Sequence, residues 1–178
     1  MAKVMARGGL TAGPTDTVWG LGCSALLPDA VNRLMSLKRR PPGKPMLVLV
    51  GSREAFAALA GIPHPESMAE GRPTTFIVPR PVTDLAPGLT AEDGSLGIRL
   101  VDTGFVSAVC QSLGCPMVST SANFSGHDAP AFFREVDNEI LKAVDYVSAI
   151  GRETGSTRPS PSRIVKLMPG EEAVVIRP

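Results

Sequence analysis

Aromatic side chains are nearly missing from this chain: one Trp, one Tyr and six Phe in 178 residues, 4% in all. Leu, Val, Ala and Ile must therefore fill the core, and stacking of single-stranded nucleic acid on aromatic platforms is disfavoured. Cysteine is also scarce. The three (23, 110, 115) form an odd set with no metal-ligand spacing, and the two histidines, His64 and His127, complete no cluster. That argues against a disulfide framework and a structural zinc site, and for a reduced, cytoplasmic setting. Long apolar runs are absent. The longest, Met46–Val50, falls far short of a membrane span, and Met1–Gly9 holds no apolar core of signal-peptide length. No Ser-His-Asp or Cys-His arrangement is legible, and no Gly-x4-Gly-Lys-Ser/Thr loop occurs. His127-Asp128 reads as loop surface. Net charge is only +1.

That neutrality hides a segregation. Residues 1–50 hold seven Lys/Arg against two acids, Asp16 and Asp29; residues 51–178 hold eleven against fifteen. The excess concentrates in Lys38-Arg39-Arg40-Pro41-Pro42-Gly43-Lys44, four cations within seven residues. Such a focus suits one anion site better than a uniformly basic surface. The length suits one domain, over 1–178, with a sizeable core. Eighteen Gly and seventeen Pro predict many tight connections.

Pro28-Asp29 opens a helix with Val31, Leu34 and Met35 on its apolar face. Lys38 continues that face at i+7, so its stem should pack and its ammonium reach the rim. Met46–Val50 and Thr74–Val78 read as strands. Ser52 caps a short helix through Phe56 and Leu59 that Gly61 ends. Ser95–Val101 alternates, with Leu96, Ile98 and Leu100 on one face and Ser95, Gly97 and Arg99 on the other. Asp102 then caps a helix bearing Val106, Val109, Cys110 and Leu113, closed by Gly114. Pro116–Ser119 is a strand, Phe133, Val136 and Ile140 share a helix, and Tyr146–Ile150, Arg163–Leu167 and Ala173–Arg177 are strands, the last two joined by a turn at Pro169-Gly170. Gly151–Pro161 reads as a mobile loop. Interleaved strands and helices predict an α/β fold with a mixed sheet.

Four segments carry chemistry. Pro14–Gly22 offers hydroxyls and close backbone approach to a small polar ligand, or is a strand followed by an ordinary turn. Asp16 within it can orient a cation, but one carboxylate defines no metal site. The basic run binds an anion, complements a helix C-terminus, or forms a solvated face. Ser119–Gly126 follows a strand, where open sheets bind ligands, or it simply caps and turns. Arg99 and Arg177 either serve a site or face solvent.

In this order, Pro14–Gly22, Lys38-x-Arg40-x3-Lys44 and Ser119–Asn123 with Ser125-Gly126 resemble the YrdC-like family, the threonylcarbamoyl-AMP synthases of tRNA modification. The similarity extends through Gly94–Asp102, Pro161-Ser162 and Ile176–Pro178. The resemblance implies a twisted mixed sheet with flanking helices and a concave, positively charged face. It implies nucleotidyltransfer: L-threonine, bicarbonate and ATP giving threonylcarbamoyl-AMP and pyrophosphate, with Mg²⁺ carried by the nucleotide. A downstream transferase complex then modifies tRNA, with a possible tRNA contact. By the same resemblance Lys38 and Arg40 are catalytic, Lys38, Arg40 and Lys44 neutralising carbamate and phosphates. Thr17, Arg99, Ser119 and Ser162 hold threonine, Ser162 closing from the mobile loop. Arg40, Lys44, Ser95, Ser121, Asn123 and Arg177 hold ATP. Two departures stand out: Trp19 replaces the family's Tyr or Phe, and Glu70–Thr75 replaces Trp-Pro-Gly-Pro-x-Thr. The competing reading is an RNA-binding or ribosome-associated protein of this fold without synthase activity, which neutral charge and few aromatics disfavour.

Overall fold

A computed structural model of the protein describes residues 1–41, 44–79, 81–82, 85–152, 159–168 and 172–178. The Pro169-Gly170 turn, Pro42-Gly43 of the basic run and most of the Gly151–Pro161 loop lie outside the described residues. The strands are β1 (Thr11–Gly13), β2 (Gly20–Ser24), β3 (Leu47–Val50), β4 (Thr74–Val78), β5 (Leu96–Leu100), β6 (Met117–Ser121), β7 (Tyr146–Val147), β8 (Arg163–Leu167) and β9 (Ala173–Arg177). The helices are α1 (Ala2–Met5), α2 (Pro28–Leu37), α3 (Arg53–Ala60), α4 (Glu66–Ala69), α5 (Gly104–Leu113) and α6 (Asn138–Ala143).

The strands form one mixed sheet in the order β7-β1-β2-β6-β3-β5-β4-β8-β9. β3 runs parallel to β5 and β4 to β8, while β6 is antiparallel to both β2 and β3. Alternation along the central strands sorts side chains onto two faces. Val48, Val50, Phe76, Val78, Leu96, Ile98 and Val118 join the larger core with Val31 and Leu34 of α2 and Phe56 and Leu59 of α3. On the opposite face Leu49 and Met117 pack with Met5 of α1 and Val106, Val109 and Cys110 of α5. Those two helices cover only part of that face. The rest carries Ser95, Arg99, Thr75, Ser119 and Ser162, and it is open as a hollow.

Local chemistry sets several boundaries. Ser52 Oγ accepts from Ala55 N at 3.1 Å, and Gly61 leaves α3 at φ 72°. The cap is worth about 1 kcal/mol. The helix expected from Asp102 instead begins at Gly104 after Thr103, because Gly104 sits at φ 78° and Asp102 pairs with Arg53 at 3.6 Å. The single helix expected across Phe133–Ile140 is two pieces. Phe133–Glu135 is a 3₁₀ turn, Val136 is extended, and Asp137 restarts the helix by accepting from Glu139 N at 2.7 Å. The strand expected over Tyr146–Ile150 stops at Val147, pairing parallel with β1. Trp19 is buried and its ring meets Phe133 at 5.0 Å. Glu70 and Gly71, in the departing segment, are both left-handed, at φ 53° and 68°. Among the described residues no helix is long and apolar enough to cross a membrane.

Candidate active site

The hollow has a volume of about 500 Å³ and is lined from β2, β6, β3, β5, β4, β8 and β9 and from the loop between β1 and β2. Among the described residues its lining cations are Arg40, Arg99, Lys166 and Arg177, and its lining carboxylate is Asp93. Thr17, Ser95, Ser119, Ser121 and Ser162 also line it. Eight of the expected site residues, drawn from the whole length of the chain, therefore meet around one space.

Arg99 is the most buried of these lining cations, only 3% exposed, not the solvent-facing residue that base rates favour. Its Nη2 donates to Asp16 Oδ1 at 2.8 Å. Burial lowers its pKa and the Asp16 carboxylate opposes that, so the guanidinium stays charged. Its Nε is buried with no hydrogen-bond partner among the described residues. A buried, half-satisfied guanidinium is costly unless an anion completes it.

Pro14–Gly22 is a bend leading into β2, the reverse of the strand-then-turn alternative. Thr15 Oγ1 donates to Val18 O at 2.7 Å and accepts from Thr17 N at 3.1 Å. Thr17 Oγ1 lies 3.0 Å from the same oxygen. One hydroxyl carries one proton. With the Thr15 proton committed to Val18, Thr17 donates to Thr15 and keeps lone pairs for a ligand. Gly20 is required by close approach: a Cβ there would lie 2.8 Å from Thr15 Cγ2 and 3.2 Å from Thr120 O.

Lys38 is not at the rim. It is 2% exposed, and its Nζ donates to Ser121 O at 2.6 Å and Asn123 O at 2.8 Å, with Asn123 Oδ1 at 3.4 Å. Its own carbonyl accepts from Ser125 N at 2.9 Å. The side chain followed the apolar face inward because backbone carbonyls waited there to satisfy it. Burial, then Arg40, push its pKa down to about 8. Lys38 thus sits behind the Ser121–Asn123 segment and does not line the hollow. Lys44 is exposed, and its carbonyl accepts from Arg40 Nε at 2.8 Å. The Asn123 amide is turned into its own loop, donating to Phe124 O and His127 O at 3.0 and 2.6 Å. Of the basic run, only Arg40 among the described residues lines the hollow, so the expected sharing of it by Lys38, Arg40 and Lys44 is corrected. Arg40 Nη2 donates to Pro45 O at 2.5 Å, and burial lowers its pKa.

Ser162 is seated at the head of β8. It is 2% exposed, its Oγ meets Thr75 Oγ1 at 2.9 Å, and its carbonyl accepts from Arg177 Nε and Nη2 at 2.9 and 2.6 Å. Arg177 is thereby fixed over the hollow, although its strand β9 is exposed along its length. Thr75, Asp93 and Lys166 were not anticipated as lining residues. Alternation along β4 and β8 carries the signal for Thr75 and Lys166, and the Asp-x-Ser spacing before β5 carries it for Asp93.

The Sua5/YciO/YrdC family model, described as "Telomere recombination", matches residues 3–178. The chain belongs to this family. Threonylcarbamoyl-AMP synthase of Xanthomonas campestris pv. campestris (strain B100) is 35% identical over 175 residues, covering 89% of this chain and 88% of the relative. That of Cellvibrio japonicus (strain Ueda107) is 33% identical over 187 residues, covering 99% and 93%. The crystal structure of P. abyssi Sua5 complexed with L-threonine has a TM-score of 0.81 at 26% identity, over 99% of this chain and 52% of that one. This chain thus spans about half the length of that Sua5. E. coli YciO, with a TM-score of 0.80 at 21% identity, shares the fold. The sheet with flanking helices is the one these Sua5/YciO structures have.

Proposed function

We propose that this chain is a threonylcarbamoyl-AMP synthase, a nucleotidyltransferase that makes threonylcarbamoyl-adenylate and pyrophosphate from L-threonine, bicarbonate and ATP. One observation carries the reading: a buried guanidinium, Arg99, with an unpaired Nε in a cation-lined hollow, in a chain whose relatives bear that name. The threonine carboxylate completes Arg99. The Thr17 hydroxyl, left with lone pairs, accepts from the threonine amine, and Ser119 and Ser162 flank it. The deprotonated amine adds to bicarbonate, expelling water and leaving a carbamate. A carbamate oxygen attacks the α-phosphorus, the bond to the bridging oxygen breaks, and pyrophosphate departs.

No protein nucleophile enters these steps. The obstacle is repulsion between two anions, several kcal/mol at about 4 Å in a partly dry site. Arg40 and Arg177 offset it and stabilise charge developing on the leaving phosphates, while Ser95 and Ser121 position the nucleotide. Lys38 acts through the Ser121–Asn123 segment as a positioning residue, and Asn123 holds that segment together. Lys44 anchors Arg40 through its carbonyl. Mg²⁺ enters with ATP as part of that substrate. The product is a reactive mixed anhydride. A cytoplasmic transferase complex consumes it on tRNA, and any tRNA contact belongs to that transfer. Residues 1–178 form one YrdC-like domain that holds this site.

The test is pyrophosphate release with ATP, threonine and bicarbonate, each omitted in turn. Release that requires all three supports the proposal; release indifferent to threonine or bicarbonate contradicts it.

A further inference from the structure

Resting on that reading, we infer that Asp93 and Ser95 form the nucleoside-reading end of the hollow, accepting a hydrogen bond from a ribose hydroxyl or the adenine amino group. Ser95 is buried, and its Oγ donates to Asp93 Oδ1 at 2.5 Å while its backbone N donates to the same oxygen at 2.9 Å. Lys166 Nζ lies 3.1 Å from Asp93 Oδ2. These contacts hold the Asp93 carboxyl well below its usual range, at about 2, so it is ionised and only accepts. The single Ser95 proton is therefore committed to Asp93, and the hydroxyl offers lone pairs alone to a ligand. Phosphate oxygens are acceptors too, so Ser95 cannot serve them. It suits a donor, and the nucleoside is the part of ATP that has donors.

The placement agrees with the chemistry. Ser95 is four residues along β5 from Arg99, about 13 Å at strand rise. Between them lie Gly97, which contributes no side chain, and the flanking Ile77 and Ile164, all lining the hollow. The hollow thus runs from a guanidinium end, across a flat apolar strip, to an acceptor end whose one carboxylate Lys166 neutralises. A nucleoside laid on the strip keeps its phosphates toward the arginines. An Asp accepting from ribose is an established way of reading a nucleotide.

The test is calorimetric binding, without threonine, of ATP, 2′-deoxy-ATP, 3′-deoxy-ATP, inosine triphosphate and pyrophosphate to the full chain. Wild type, Ser95→Ala and Asp93→Asn are compared. Ser95→Ala keeps the backbone bond to Asp93, so the turn survives. The wild type should favour ATP over at least one analogue by about tenfold, the scale of one hydrogen bond within a charged pair. Loss with a deoxy analogue assigns ribose, and loss with inosine triphosphate assigns the amino group. Both variants should cut that preference to about threefold or less while pyrophosphate binds as before. Equal binding of all nucleotides by wild type, either variant retaining the preference, or pyrophosphate affinity falling in parallel (Asp93 shaping the turn alone) overturns the assignment. ATP binding without discrimination defeats only this inference; no ATP binding together with no pyrophosphate release defeats the synthase reading itself.

Discussion

Replacing Lys38 by Met removes an ammonium while keeping an unbranched stem of similar reach. Two effects then oppose each other. The Ser121 and Asn123 carbonyls, at 2.6 and 2.8 Å from Nζ, lose their donor, at about 1–3 kcal/mol for each unsatisfied buried group. Against that, the protein no longer buries a charge. The fall of the Lys38 pKa from 10.5 to about 8 measures that cost, about 3 kcal/mol. Stability at pH 7 therefore changes little in either direction, and a single melting temperature decides nothing. The pH slope does decide. The folded pKa lies below the unfolded one, so between pH 8 and 10.5 the unfolded chain keeps a proton the native protein has released, and stability rises with pH. Cys23 and Cys110, whose thiols burial pushes up to about 12, pull the other way above pH 9, equally in both proteins. In urea titrations at half-unit intervals, wild type should gain about 1 kcal/mol over Lys38→Met between pH 7 and pH 9. Parallel curves would refute the buried ammonium.

Arg40→Ala should lower threonylcarbamoyl-adenylate formation about 10²–10³-fold with the circular dichroism spectrum unchanged; wild-type turnover would remove Arg40 from the site. Gly20→Ala forces a methyl against Thr15 Cγ2 at 2.8 Å and should cost about 1–3 kcal/mol in denaturant unfolding. An unchanged midpoint would show that the Thr15 turn yields freely. With a thiol reagent at pH 8, only half-buried Cys115 should react in the native state, Cys23 and Cys110 following on unfolding; three fast thiols would contradict their burial.

What the sequence made legible was what neighbours along the chain determine. Ser52 and Gly61 bound α3 because both caps act within one turn, and the alternation of Ser95–Val101 put Arg99 and Ser95 on one face because strand period is local. The YrdC-like motifs added which distant segments belong to one site. Hidden were the contacts that only the fold creates. Lys38 reads as a rim cation from its own helix, since the carbonyls that draw it inward lie 83 and 85 residues away. Arg99 reads as solvent-facing for the same reason, its Asp16 partner being 83 residues off. Val136 fits a helical stripe by spacing, yet the Asp137 side chain offers a better start one residue later. Asn123 has the chemistry of a nucleotide contact, but its own loop takes its amide first.

On the proposed reading Arg99 seats the threonine carboxylate beside a separately held ATP. Steady-state kinetics of Arg99→Gln test it most directly, with threonine and ATP varied independently. The KM for threonine should rise at least about tenfold, the loss of one charge-assisted contact, while the KM for ATP stays within about twofold. An unchanged threonine dependence, or equal rises for both substrates, would contradict it.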